Sequence, residues 1–249
     1  MRKPSLVQAL QSEDALPLLR HMTHQELQVL VELLDRSFDV RIKSDPRIRR
    51  AVHNLTLVPA RINDHLLRAS GHAVMNMFGR PTYRSELCWV ADKLGCSYES
   101  ADTVPAIEMK LLCKCAEDIW NKADAQQRAD LIAELERKSG QRLDLKPAVP
   151  FAVLTVQIGA GMTGFLVYQI AVQAANALAI STIGTGLAFG ANAAATRILG
   201  AVLGPIGLAA TTLWFAASLF GPSLKSAAPA VIFVATVRQQ RARAYALGQ

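Results

Sequence analysis

The sequence predicts an all-α fold: a soluble, mixed-charge helical domain followed by a Gly/Ala-rich apolar helical module resembling a membrane hairpin. Three observations predict it. Leu27, Leu30, Val31 and Leu34 stand at i, i+3, i+4 and i+7, a spacing that lines one helix face. Residues that cap helices stand in front of several such runs. No alternating apolar and polar stretch of useful length offers a strand.

The helices follow in order. Met1-Arg2-Lys3-Pro4 has two bases but no long apolar run after it, so no signal peptide is expected. Ser12-Glu13-Asp14 is expected to cap a short helix carrying Leu16, Leu18 and Leu19. Thr23 and Glu26 fit a capping box ahead of the Leu27 stripe. Pro59 is suited to the first turn of a helix running through Ile62, Leu66 and Leu67 to Ser70-Gly71. Further helices fit Thr82–Leu94 and Pro105–Trp120. Asp124 caps the next, with Leu131, Ile132 and Leu135 facing inwards and Ser139-Gly140 ending it.

Charge divides the chain at Ala148. The 249 residues hold 27 Lys and Arg against 20 Asp and Glu, with a mean hydropathy of +0.20. All 20 acids precede Ala148, whereas only Arg197, Lys225, Arg238, Arg241 and Arg243 among the bases follow it. Residues 148–196 form a 49-residue run without charge, and 198–224 a second of 27. This predicts a mixed-charge helical domain over 1–147, an apolar helical module over 148–237 and a basic tail over 238–249. Pro147 and Pro150 stop a helix at the boundary.

Spanning a bilayer takes about 20 apolar residues. Phe151–Val172 and Ile198–Phe220, 22 and 23 residues long, are the candidate spans. Gly186-x-x-x-Gly190 and Gly200-x-x-x-Gly204, with Pro205, Gly221 and Pro222 beside them, supply small-residue packing positions that let helices approach in lipid. Gln169, Gln173 and Asn176 form a polar stripe, and Arg197 separates the two runs. They read either as the polar lining of a pore or as hydrogen-bonded packing with Arg197 at the headgroups. Arg238, Arg241 and Arg243 read as a cytoplasmic, headgroup-facing end. With the N-terminal domain on the same side, an even number of spans follows.

Chemistry is sparse. Cys88, Cys96, Cys113 and Cys115 lack the spacing of zinc knuckles and read as reduced structural thiols. His21, His24, His53, His65 and His72 form no helical metal-ligand pair. No phosphate loop, dinucleotide fingerprint or nucleophile elbow occurs, so neither cofactor nor metal is expected. Arg41, Lys43, Arg47, Arg49 and Arg50 form a basic run. It reads as solvated surface, as a lipid-headgroup contact or, least readily for lack of interleaved aromatics, as a nucleic-acid contact.

Four stretches resemble the uncharacterised bacterial YaaW-like family: Glu13-Asp14-Ala15-Leu16-Pro17-Leu18-Leu19 with Leu27 to Leu34; Gly71 to Arg80 with Tyr83-Arg84; Ile119-Trp120-Asn121-Lys122-Ala123-Asp124; and Gly204-Pro205-Ile206-Gly207 with Gly221-Pro222, Pro229 to Ile232 and Arg238. Residues 78–140 faintly resemble the ubiquinol–cytochrome c chaperone family. The resemblance implies no enzymatic activity.

These observations lead to the expectation of a non-enzymatic helical protein at the bacterial inner membrane, with both ends cytoplasmic. Its partners would be membrane lipid and a second copy or a protein, with membrane insertion or pore formation controlled by the soluble cap. The alternatives are an assembly factor for a membrane partner and a cytoplasmic all-α binding module whose apolar half is a core.

Overall fold

The computed structural model describes residues 4–35, 42–70, 81–140, 142, 145–156, 167, 222–246 and 248. Among them the regular structure is helical and no strand occurs. The all-α expectation therefore holds at that level. The chain forms two compact units, one of residues 1–111 with 217–249 and the other of residues 112–216. The units thus part elsewhere than at Ala148.

The first unit begins with α1 (Leu6–Leu10), α2 (Leu16–Leu19) and α3 (His24–Leu34). Then come α4 (Pro46–Arg50), α5 (Pro59–Leu66) and α6 (Tyr83–Lys93), with 3-10 turns at Ile42–Ser44 and Leu55–Leu57. Local chemistry explains most of these starts. Thr23 Oγ1 accepts the Glu26 amide while Glu26 returns its carboxylate to the Thr23 amide, so two orphan donors are satisfied at once. Ser5 with Gln8 and Thr82 with Ser85 do the same for α1 and α6. Pro46 and Pro59 sit in first turns, where a missing N–H costs nothing. The expected cap at residues 12–14 takes another form. Ala15 is the N-cap residue of α2 and makes no side-chain bond. Ser12 instead accepts the Asp14 amide within its own turn.

Helix α7 (Val104–Lys122) begins in this unit and continues into the second. The first unit is completed by α9 (Pro222–Ala246), which packs against α1, α3 and α6. Residues 227–238 of α9 are buried without interruption. Residues 238–246 of the stretch expected as a basic tail are therefore the last nine residues of a 25-residue helix. Pro229 lies inside it, at a cost in one backbone hydrogen bond.

The second unit contains the end of α7, α8 (Ala125–Ser139) and helical residues 151–156. Asp124 accepts the Gln127 amide, and Gly140 closes α8 with φ +69°, a left-handed value that suits glycine. Ile132 is buried as expected, and the Leu131 and Leu135 side chains lie outside the described residues. Trp120 is fully buried beside Phe151, ring centroids 6.4 Å apart. Its Nε1–H donates to the Val149 carbonyl at 3.0 Å.

Among the described residues, no helix is long and apolar enough to cross a membrane. The candidate span 198–220 lies outside those residues, as does most of 151–172.

Candidate functional site

Three charged residues of the first unit occupy apolar helix stripes. In α6, Glu86 follows Tyr83 and precedes Leu87 and Val90. In α7, Glu108 falls among Val104, Ile107 and Leu111. In α9, Arg238 continues Val231, Val234 and Ala235. Each spacing is i, i+3, i+4, i+7, the core face of a helix, and all three side chains are buried.

Arg238 and Glu108 meet with Nε and Oε2 2.7 Å apart, the side chains 1% and 0% exposed. Neither atom has a well-angled hydrogen bond, so the contact is electrostatic. The other Glu108 oxygen accepts the Tyr83 hydroxyl at 2.8 Å. Arg238 Nη1 donates to the carbonyls of Ala9, Leu10 and Ser12 at 2.8, 3.2 and 3.3 Å. The Ala9 and Leu10 carbonyls belong to the last turn of α1, where helical partners run out, and Ser12 lies just beyond it. One guanidinium thus joins α9 to α1 and α7. Burial raises the Glu108 carboxyl above its ordinary range, against the opposing pull of Arg238 and Tyr83. Burial, reinforced by Glu108, raises the Tyr83 phenol well above its own.

Glu86 stands apart from this pair. Ser70 donates to its Oε2 at 2.7 Å, and its Oε1 is buried without a hydrogen-bond partner. Desolvation pushes its carboxyl up to about 7, against the hydrogen bonds from Ser70.

Asp45 shows the opposite balance. Burial would raise its carboxyl, but His65, the Arg47 amide and Arg61 together hold it well below the usual carboxylate range. The contacts are 3.1, 2.9 and 2.5 Å. This carboxylate caps α4 and anchors α5.

The residues expected at headgroups separate into two sets. Lys43 pairs with Glu32 at 2.6 Å and reaches Asp35 at 3.7 Å. Arg238 is in the core, and Arg241 pairs with Glu26 at 2.5 Å, joining α9 to the N-terminus of α3. Arg243 is half-buried. Arg47, Arg49 and Arg50 are exposed. Arg41 lies outside the described residues, as do Gln169, Gln173, Asn176, Arg197, Gly186, Gly190, Gly200, Gly204, Pro205 and Gly221. Pro222 begins α9.

The remaining polar residues carry structure. His21 contacts the Pro4 carbonyl, and His24 Nδ1 accepts the Leu55 amide. All four cysteines are free thiols. Among the described residues, no group of three His, Cys, Asp or Glu is placed to hold a metal ion. Glu86 and Glu108 escaped the sequence reading, and Tyr83 entered it only within a resemblance. The available signal was an acid on an otherwise apolar stripe.

Among the described residues the geometry is that of an all-helical protein with ionisable side chains inside its core. The chain is similar to a UPF0174 protein of Helicobacter pylori strain J99, 35% identical over 156 residues, covering 63% of this chain and 60% of that protein. A second UPF0174 protein of the same strain is 27% identical over 197 residues, covering 77% and 93% respectively. One from strain 26695 is 26% identical over 195 residues, covering 76% and 92%. These relatives overturn the expected likeness to the YaaW-like and ubiquinol–cytochrome c chaperone families. No family model matches, and no solved structure matches.

Proposed function

We propose that this chain is a non-enzymatic, membrane-associated helical protein of the bacterial inner membrane. Its first unit faces the cytoplasm and holds chain on both sides of residues 112–216, which contain most of a charge-poor segment. The observation that supports the reading is the charge distribution. Between Ala148 and Leu224 the chain carries a single charged residue, Arg197, whereas α7, earlier in the chain, and α9, after it, contribute Glu108 and Arg238 to one buried pair. The first unit contains chain on both sides of residues 112–216. A segment leaving and rejoining it through a bilayer therefore crosses an even number of times. Apolar area that long is most simply matched by hydrocarbon.

Fractionation of the full chain, with a carbonate wash and a detergent-free control, tests the reading. Retention in the washed membrane pellet is expected. A monodisperse protein purified without detergent from the soluble fraction would overturn it.

A further inference from the structure

We infer that the turn from α4 to α5 is a docking surface for anionic lipid headgroups, built from Arg47, Arg49 and Arg50 with Val52 and Leu57. The inference rests on the membrane reading above and assigns that reading a surface and a lipid class.

The segment folds with a defined inner side. Ile48, Ala51 and Leu55 are buried, and successive backbone bonds from Ala51 to Arg47, Asn54 to Ala51 and Leu57 to Asn54 hold the reversal compact. The residues between these anchors point outward. Arg47, Arg49 and Arg50 are exposed. Val52 is 55% exposed and Leu57 73%. Among the described residues of the first unit, the only other large apolar side chain so exposed is Tyr245. Two exposed aliphatic side chains, five positions apart in the same short segment as three exposed arginines, supply the combination that inserts shallowly while cations meet phosphate.

Charge complementarity selects the occupant. Among the described residues, Glu32 and Asp35 are engaged by Lys43, and Asp45 by Arg61 and His65. Asp64 is also turned to Arg61. The three arginines consequently present charge that none of these described acids pairs, the kind that an anionic lipid surface attracts. Nucleic acid fits less well, because residues 42–58 contain no Phe, Tyr or Trp on which a base would stack.

Flotation of the full chain with phosphatidylcholine vesicles, and with vesicles also containing phosphatidylglycerol, tests the surface. Two variants are compared, Arg47→Gln/Arg49→Gln/Arg50→Gln and Val52→Asp/Leu57→Asp. All five side chains are exposed, and an unchanged melting temperature checks the fold. Partition onto the anionic vesicles should fall at least about tenfold in each variant, and the wild-type advantage over neutral vesicles should shrink in high salt. In a Leu57→Trp chain, brominated lipid should quench fluorescence beyond the wild-type level, a readout that serves even if the charge variant fails to fold. Equal partition of wild type and folded variants, or absence of added quenching, would overturn the surface while leaving carbonate-resistant membrane retention intact. Arginine-dependent binding to duplex DNA without binding to anionic vesicles would also overturn it. Failure of the membrane reading shows separately, as loss of the full chain from the washed pellet.

Discussion

Arg238 and Glu108 are separated by 130 positions in the chain, yet form a fully buried ion pair, Nε to Oε2 2.7 Å. Burying both charges costs several kcal/mol, which their attraction offsets only in part. The pair is better read as a register device than as a source of net stability. It fixes α9 at one height against α7, while the carbonyls at the end of α1 take the same guanidinium.

Removing one partner leaves the other buried and uncompensated. Glu108→Leu or Arg238→Met alone should lower the unfolding free energy of the full chain by about 3–5 kcal/mol. The double variant should cost much less than the two losses added. Denaturant titration of a double-mutant cycle measures this. Additivity within about 0.5 kcal/mol would mean the two charges are not coupled.

Glu86 gives the fold a specific pH dependence. Its carboxyl is raised from an ordinary value of 4.5 to about 7 in the folded chain. The folded state therefore holds a proton that the unfolded state has released between these values. Stability from this group is fully present below about 4.5, falls as pH rises, and is lost above about 7, a change of about 3 kcal/mol. Asp45 acts with the opposite sign, because its depressed carboxyl stabilises the fold above 3.8 and loses that contribution as pH falls. Subtracting the melting profile of Glu86→Gln from that of wild type isolates the Glu86 contribution. The difference should slope downward from pH 4.5 to 7, and a flat difference would show that Glu86 is not a buried neutral acid.

In the second unit, Arg128 donates to the carbonyls of Trp120 and Asn121 at 2.9 and 3.2 Å and to that of Pro147 at 3.3 Å. Its guanidinium carbon lies 5.5 Å from the Trp120 ring centroid. It thereby caps the last turn of α7 with a cation, the sign favoured at a helix C-terminus. Arg128→Ala should cost this unit about 1–2 kcal/mol. Faster hydrogen exchange around residues 119–123 and 147–154 should reveal the loss, with little change at α3 or α6. Uniform acceleration across both units would show that Arg128 acts on global stability instead.

Much of the local fold was legible in the residues themselves. Thr23 with Glu26, Pro59, Asp124 and Gly140 each have a short-range partner or an intrinsic backbone preference, so their roles need only neighbours three or four positions away. The headgroup set was legible only in composition. Arginines at 47, 49 and 50 and arginines at 238 and 241 are chemically alike in a sequence. The first group is exposed on a five-residue helix, while of the second Arg238 is buried against α1 and Arg241 is paired with Glu26 of α3, at the opposite end of the chain.

The sequence by itself determined the helical class, the caps and the division of charge at Ala148, because spacing, capping chemistry and charge counts are local properties. Only the tertiary structure decided that residues 227–238 are core, that Glu108 is the partner of Arg238, and that the first unit takes in both ends of the chain. Those outcomes depend on which distant surfaces exclude water from a charge, and burial of that kind is a property of packing.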